Sequence, residues 1–569
     1  LETRGIPAGV ALLAGLVALL LLLYAGQFLA WAAGPGSLDL GEFTRAYSPS
    51  AFALALAGGA RPGWFWPGIV LGVAPVVLLV AGAGVAIARR APRRQDLGTA
   101  KMGTRRGMRA DLGRDGLTLA RGLRLSEKAS SEHVVVMGPT GSGKSSAYFV
   151  PNLLLLDAPA SLVVSDPKGE LCALTAGRQA ALGREVLVFS PLDPGRSVRY
   201  NPLFVAPGTS AVRELAQVLL VNGSRAAELM TGGRHSSPEW VTLSAPLLSA
   251  ALLRAREIGE PVDDISSALD FLLETPDEQM LGEFQTCSKE AYREYLVYAQ
   301  ALGSERTASS IRVTVSAALQ IFNLKEVREV TSGRGFDPAS LRERPVALYV
   351  QVPERKSAFL SPLVSVFYQQ LIDLILDRPG LPVYFLLDEF ANTGVIPGFP
   401  RLAATARSRQ VSLSVGIQGV EQLEAGYGRE GAQDIMNNLK VKLCFPGLGD
   451  YTAGYVSRLL GQATAEVRGR MYDSSAGGYG DHYSLQRREL LTADEVRRLK
   501  KGEVLVVASN CDPVLGRQLR YYEDRKLRVL AGKRAKPVPR PGGTEAPEPA
   551  PVGGGDAPPA RPADPLDGW

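Results

Sequence analysis

Apolar positions along this chain fall into three regimes. Near the N-terminus the run from Val10 to Ala33 is dominated by Leu, Ala and Val, with no charged residue between Arg4 and Asp39. A second uncharged run lies between Arg61 and Arg89 and opens on Trp64, Phe65 and Trp66. At ~1.5 Å rise per residue either run can cross a hydrocarbon core of about 30 Å, so the pattern predicts two membrane-spanning helices. A cleaved signal peptide is the rival reading of the first run, because Ala30-Trp31-Ala32 resembles a small-residue cleavage site. The apolar stretch is longer than the usual ~7–15 residues, however, and Arg4 is the only basic residue ahead of it. Arg89, Arg90, Arg93 and Arg94 follow the second run at once, whereas the link between the runs mixes Asp39, Glu42, Arg45 and Arg61. That asymmetry places everything after Arg89 on the cytoplasmic side.

In the middle of the chain the period changes. From about Val134 to Ser190, and again from about Val346 to Phe445, short β-branched runs alternate with helical segments, the pattern of an α/β domain with a mostly parallel sheet. Between them, from about Ala211 to Asn323, Leu and Ala recur at helical spacing, which predicts an all-helical domain inserted into the α/β fold. After Val467 the stretch RGRMYDSSAGGYGDHYS reads as a surface loop. From Pro537 to Trp569 the chain is rich in Pro and Gly and nearly devoid of aliphatics, so it reads as a flexible tail, a spacer or a docking segment for a partner. The expected organisation is a two-helix anchor with a short periplasmic link (1–90), a first α/β part (91–210), the helical insertion (211–325), a second α/β part (326–530) and a disordered tail (531–569).

Composition narrows the function classes only modestly. The 569 residues allow about three or four domains, and 46% hydrophobic with 21% charged excludes a disordered or collagen-like chain. Lys plus Arg is 63 and Asp plus Glu is 57, a net charge of +6, too thin a basic excess to identify a nucleic-acid partner. Cys172, Cys287, Cys444 and Cys511 form no CxxC pair, and the histidines are only His133, His235 and His482. A zinc module or a disulfide framework is therefore not expected.

Chemistry enters with the strand HVVVM (His133 to Met137), followed by Gly138-Pro139-Thr140-Gly141-Ser142-Gly143-Lys144-Ser145 and then Ser146 opening a helical segment. This is a complete phosphate-binding loop in its strand–loop–helix context. The glycines let backbone N–H groups face phosphates, the helix N-terminus adds partial positive charge, Lys144 reaches the β- and γ-phosphates, and the Ser145 hydroxyl completes a magnesium shell. A second half of such a site is a buried strand ending in acid, which Val383 to Leu387 followed by Asp388-Glu389 supplies. Asp388 would hold Mg2+, and Glu389 is placed to deprotonate the water that attacks the γ-phosphate of ATP. The strand Leu162 to Ser165 ends at Asp166. The strand SLSVGIQ ends at Gln418, a candidate γ-phosphate or water sensor. Arg407 and Arg409 precede it in ATARSRQ and could reach a neighbouring subunit's nucleotide.

Beyond the loop, SDPKGEL (Ser165 to Leu171), FSPLDP with YNPL (Phe189 to Leu203), Trp240 in SPEWV, VALYVQVP (Val346 to Pro353), LLDEFANTG (Leu386 to Gly394) and ATARSRQVSLSVGIQ (Ala404 to Gln418) resemble, in this order, the type IV secretion coupling proteins, the TraG/TraD-type ATPases of conjugation. The resemblance runs from the N-terminal helices to about Leu527. It implies a RecA-like P-loop NTPase domain with an inserted all-helical domain behind two transmembrane helices, in the bacterial inner membrane. It further implies a homo-hexameric ring whose ATP hydrolysis delivers single-stranded DNA with its relaxase, or protein effectors, to the secretion channel. Lys144 and Ser145 then look like nucleotide and magnesium contacts, Asp388 and Glu389 like the magnesium and catalytic carboxylates, Gln418 like the phosphate sensor and Arg407 like a finger across the ring interface. Ala406 stands where the family often has Gly, so the choice between Arg407 and Arg409 stays open. A nucleotide-gated docking receptor that hands over substrate without pumping it is the alternative reading. A pump of the FtsK type would call for four transmembrane helices and a winged-helix reader, against which two helices and a Pro/Gly tail argue. The basic linker Lys101, Arg105, Arg106 and Arg109 suits anionic lipid headgroups as well as it suits DNA.

Overall fold

The computed structural model describes residues 8–34, 39–74, 97–109, 111–231, 238–473, 478–508 and 510–531. The chain divides into two compact units, Leu1–Asp96 and Leu97–Trp569.

In the first unit the first apolar run is a 25-residue helix, Ala8–Ala32, with no charge in either terminal turn. Short helices Leu40–Ala46 and Pro49–Leu56 follow, capped by the side chains of Asp39 and Ser48. The second apolar run is helical over Phe65–Ala74; its remainder, with Arg89 to Arg94, lies outside the described residues. The two apolar helices approach closely because glycines face each other. A Cβ on Gly26 would come within 2.2 Å of the Gly68 carbonyl oxygen, and one on Gly72 within 2.6 Å of the Leu22 carbonyl, the small-residue contact typical of helices that pack in lipid. At one end of the pair Trp31, Phe43, Tyr47, Phe52 and Phe65 form a buried aromatic cluster.

Among its described residues the second unit has thirteen strands: β1 Thr118–Ala120, β2 Leu123–Arg124, β3 Val134–Met137, β4 Ser161–Ser165, β5 Glu185–Phe189, β6 Val346–Val350, β7 Val383–Leu387, β8 Val411–Ile417, β9 Val441–Cys444, β10 Gln462–Asp473, β11 Gly478–Glu489, β12 Glu503–Ala508 and β13 Val514–Arg517. Nine of them form one sheet in the order β13-β12-β9-β3-β8-β7-β4-β6-β5. From β9 to β5 all neighbours are parallel, and β12 and β13 extend the β9 edge antiparallel. Every residue of β3, β4, β6, β7, β8 and β9 is buried. That is why they read as unbroken apolar runs rather than as alternation. Successive residues of a strand serve opposite faces. Val135, Val163, Phe385 and Leu413 belong to one core, while Val134, Val136, Val164 and Leu386 belong to the other.

The predicted helical insertion lies between β5 and β6. Its helices run over Gly208–Thr231, Pro238–Ile258, Ile265–Glu274, Asp277–Gln285, Lys289–Ala299, Glu305–Ala318 and Lys325–Thr331. They share one core with a face of the sheet, through the long apolar helix Ser357–Asp377.

One expectation fails. Over residues 468–473 and 478–484 the stretch after Val467 is not a loop but two paired strands, β10 and β11 running antiparallel from Gln462↔Glu489 to Asp473↔Gly478, and residues 474–477 lie outside the described residues. This ribbon forms a two-stranded sheet of its own, so no core imposes an apolar alternation and its Gly, Tyr and Ser content reads as turn. Backbone pairing sustains it. At its base the Ala100 N–H donates to the Gln462 carbonyl at 3.0 Å. The expected tail from Pro537 and His235 both fall outside the described residues.

Candidate active site

Strands β3, β8 and β7 are neighbours in the sheet, and their registers, Met137↔Ile417 and Leu387↔Val415, bring their C-terminal ends level. Three separate motifs are thereby delivered to one place: the loop after β3, Gln418 after β8, and Asp388-Glu389 after β7.

The loop has the backbone that its glycines require. Gly141 and Gly143 lie at φ of 79° and 100°, a region closed to most side chains. A Cβ on Gly138 would come 2.6 Å from Ser142 Oγ and 2.8 Å from Phe445 Cβ. Thr140 and Gly141 are exposed at the mouth, while Lys144 is 4% exposed. From Ser145 the chain enters a helical turn to Phe149 and then the α-helix Val150–Leu155, so the loop ends on the free N–H groups of a helix start. Ser146 Oγ donates to the Gly143 carbonyl at 3.2 Å.

Lys144 Nζ donates to the carbonyls of Gly138 and Pro139, at 2.5 and 3.3 Å, and lies 3.5 Å from Glu389 Oε1. The Ser145 hydroxyl donates to Asp388 Oδ2. The other oxygen of Asp388, Oδ1, is buried without a hydrogen-bond partner, as is Ser142 Oγ. Burial pushes the Asp388 carboxyl up to about 6, opposed by the Ser145 hydrogen bond and the charge of Lys144 and reinforced by Glu389. Glu389 sits at φ 59°, uncommon for a residue with a side chain and a form of local strain that recurs at functional sites. Gln418 Nε2 donates to Glu389 Oε2 at 3.3 Å.

Not every candidate joins this group. Asp166 accepts hydrogen bonds from the N–H groups of Leu171 and Cys172, at 3.1 and 2.8 Å, and from Gln351 Nε2 at 3.2 Å. It thereby holds the start of the helix Glu170–Ala181. Arg407 lies in the turn Ala406–Arg409 that precedes β8, at the end of the strand opposite Gln418, and pairs with Glu132 at 3.2 Å. Arg409 belongs to the same turn, and its carbonyl accepts from Arg342 at 2.7 Å. Within one chain neither arginine reaches the loop.

Two residues that carry no motif border the loop as well. Gln518 is buried; its Nε2 donates to the Glu503 carbonyl at 3.0 Å and its Oε1 accepts from Arg520 Nε at 3.0 Å. A Cβ on Gly143 would come 3.3 Å from that oxygen. The N–H of Tyr521 donates to the Ser146 carbonyl at 3.0 Å. The strand end after β13 thus supports the loop from behind, and only a polar residue following a short apolar run could have hinted at it.

The family model described as type IV secretory system conjugative DNA transfer matches residues 92–540. Protein VirD4 of Rhizobium radiobacter is 28% identical over 425 residues, covering 72% of this chain and 60% of that protein. Conjugal transfer protein TraG of Escherichia coli is 28% identical over 468 residues, covering 72% of this chain and 69% of that one. The chain therefore spans less than two thirds of the length of VirD4. Among solved structures, the bacterial conjugative coupling protein TrwBdeltaN70 in its unbound monoclinic form aligns with a TM-score of 0.58 at 18% identity, over 74% of this chain and 92% of that one. The plasmid coupling protein TrwB in complex with ADP and Mg2+ aligns with a TM-score of 0.58 at 18% identity, over 74% and 93%. At such identity the likeness is one of fold, and the mixed sheet fits the RecA-like NTPase arrangement. With most of its length matched, the chain belongs to the type IV secretory system conjugative DNA transfer family, the type IV coupling proteins.

Proposed function

We propose that this chain is an inner-membrane ATPase that couples nucleotide hydrolysis to delivery of DNA–relaxase complexes, or of protein effectors, into a type IV secretion channel. The observation that carries the reading is the convergence of Lys144, Ser145, Asp388, Glu389 and Gln418 at the ends of three adjacent strands.

The residues present fit ATP with Mg2+. The buried Asp388 Oδ1 and Ser142 Oγ have no protein partner, a costly arrangement for polar atoms unless a ligand completes it. The tight glycine backbone leaves the loop free for phosphate oxygens. Gly138 to Ser146 would hold the triphosphate, and Ser145 and Asp388 would hold Mg2+, which when bound supplies neutralising charge to the β- and γ-oxygens. Lys144 adds a mobile cation to the same oxygens. Glu389 accepts the proton of the attacking water, and Gln418, hydrogen-bonded to it, fixes where that water stands. Arg407 or Arg409, placed away from its own loop, would serve the site of a neighbouring copy in a hexameric ring.

The helix Ala8–Ala32 and the run beginning at Phe65 suit a two-helix membrane anchor with the motor on the cytoplasmic side. The family membership supports single-stranded DNA and its relaxase as cargo and secretion-channel components as partners.

The test uses the full chain with Lys144→Ala and Glu389→Gln, measuring phosphate release and transfer of a mobilisable plasmid between cells. Loss of both activities in both variants is expected. Full transfer by a Glu389→Gln chain that binds but does not hydrolyse ATP would favour a docking receptor over a motor.

A further inference from the structure

We infer that Asn222, on the helical insertion, is a positioning residue for Glu389 and ties hydrolysis to the seating of that insertion; the inference rests on the hydrolase reading above. Asn222 lies in the helix Gly208–Thr231 and is fully buried. Its side-chain amide makes a complementary pair with the backbone of one residue: Nδ2 donates to the Val395 carbonyl at 3.0 Å, and Oδ1 accepts from the Val395 N–H at 3.0 Å. A third bond, from Nδ2 to the Val218 carbonyl at 3.1 Å, fixes the amide on its own helix. The carboxamide thus takes the place of a neighbouring strand for the backbone at Val395.

Val395 is six residues beyond Glu389, and little between them can give. Phe390 to Thr393 form a tight helical turn in which Thr393 Oγ1 donates to the Phe390 carbonyl at 2.8 Å. Ser365 Oγ, fully buried, donates to the Thr393 carbonyl at 3.0 Å. Gly394 lies at φ 76°, where a Cβ would come 2.3 Å from Ser365 Oγ and 3.1 Å from Asn222 Oδ1. Phe390, Phe399 and Tyr427 form a three-ring cluster, with the Phe390 centroid 4.4 Å from a tilted Phe399 and 6.2 Å from a parallel Tyr427, and the Tyr427 hydroxyl accepts the Ile396 N–H at 3.1 Å. Glu389 itself holds a left-handed backbone that persists only when its surroundings over-determine it. Asn222 is the insertion residue that hydrogen-bonds into this segment, at Val395.

The other end of the link is as stiff. At the residue after Asn222 a Cβ would come 2.3 Å from the Ala318 carbonyl oxygen, so the helices Gly208–Thr231 and Glu305–Ala318 touch backbone to backbone. Arg225, one turn on from Asn222, donates to the carbonyls of Ala425 and Gly426 at 2.8 and 3.3 Å. A shift of the insertion therefore arrives at the backbone that carries the candidate base, without passing through the phosphate loop.

The experiment compares the full chain, purified in detergent, as wild type, Asn222→Ala, Asn222→Asp, Glu389→Gln and Asn222→Ala/Glu389→Gln. Turnover at saturating ATP and Mg2+, affinity for a fluorescent ATP analogue and thermal midpoint are measured for each. Asn222→Ala is expected to lower turnover by about tenfold to hundredfold, the size of effect that a misplaced catalytic group produces, with affinity changed by no more than about twofold. In the Glu389→Gln background the same substitution is expected to cost less than about twofold, because a group that acts through Glu389 has nothing left to position. Asn222→Asp keeps the size and the acceptor but loses the donor to the Val395 carbonyl, so it asks the same question should Asn222→Ala fail to fold. Equal losses in both backgrounds, loss of affinity in step with turnover, or a lowered thermal midpoint with unchanged turnover would each overturn the inference. A wild-type chain that binds nucleotide without hydrolysing it would overturn the hydrolase reading and this inference with it.

Discussion

The ammonium of Lys144 lies 3.5 Å from Glu389 Oε1, and the second oxygen of the same carboxylate accepts a hydrogen bond from Gln418 at 3.3 Å. A lysine after β3, an acid after β7 and an amide after β8 thus form one contact group. Glu389 is the shared member, so its charge and orientation depend on both neighbours. Replacing any one of the three changes the environment of the other two.

Lys144→Ala removes a cation from the phosphate loop and at the same time leaves Glu389 without its nearest positive charge. Hydrolysis should fall by at least about a hundredfold, and affinity for ATP should fall with it. Phosphate release together with titration of a fluorescent nucleotide measures both. A variant that keeps wild-type turnover would separate this loop from the chemistry.

Glu389→Gln is close to isosteric and can still bond Gln418, but an amide cannot take up a proton. Turnover should drop by roughly 10²–10⁴-fold, the range general-base catalysis supplies, while ATP affinity stays within a few-fold of wild type. Affinity that collapses together with turnover would make Glu389 a binding group rather than a base.

Much of this site is legible in the sequence because each motif is local. GPTGSGKS announces its own backbone, and LLDE is recognisable as a buried strand that meets its loop. Strand order is not local. The pairing of Ser145 with Asp388 and the interposition of β8 between β3 and β7 follow from the sheet, and no single segment encodes them. The β10–β11 ribbon is illegible for a different reason: it stands outside the large sheet, so its sequence carries no apolar alternation. Asn222 is hidden because a buried Asn within a Leu/Val/Ala helix looks like a tolerated polar residue until Val395 is seen opposite it.

Gly223→Ala tests how closely the insertion is packed. Helix propensity favours alanine by about 1 kcal/mol. The new Cβ, however, would come 2.3 Å from the Ala318 carbonyl oxygen and 2.6 Å from its Cα, and backbone cannot swing aside as a side chain can. Overpacking of this kind costs about 1–3 kcal/mol, so the steric term wins and the apparent melting temperature should fall. An unchanged or raised melting temperature would show that the two helices separate at little cost.

His133 gives the fold a pH dependence of known sign. Its Nδ1 accepts the Leu413 N–H at 3.2 Å and its Nε2 is buried without a partner. Burial, with the charge of Arg407 adding to it, lowers the imidazole to about 4, and the nearby Ala403 backbone opposes the shift only in part. The unfolded chain, with an ordinary histidine near 6.5, binds more protons between about pH 6.5 and 4. Stability is therefore lost as the pH falls through that window, by on the order of 3 kcal/mol at most. His133→Asn keeps an acceptor and tolerates the positive φ of 65°. Its melting temperature should fall less between pH 7 and pH 5 than that of the wild type; equal slopes would mean that the imidazole is already protonated in the fold.

The position of Arg407 decides how it can act. It stands before β8 and Gln418 stands after it, and the seven residues of that strand, at ~3.3 Å each, separate them by roughly 23 Å. No arginine spans that distance within its own chain, so any contribution it makes to hydrolysis is to the site of an adjacent copy. Arg407→Ala should then be nearly inactive alone, as Lys144→Ala should be, yet a mixture of the two should regain part of the wild-type rate. In mixed assemblies a Lys144→Ala copy still offers its Arg407 to the intact loop of an Arg407→Ala neighbour. Repeating the mixture with Arg409→Ala decides between the two arginines, since only the variant lacking the acting residue is rescued in this way. If neither mixture exceeds the sum of its parts, the turn Ala406–Arg409 has no part in the chemistry, and the Arg407–Glu132 pair is a surface contact.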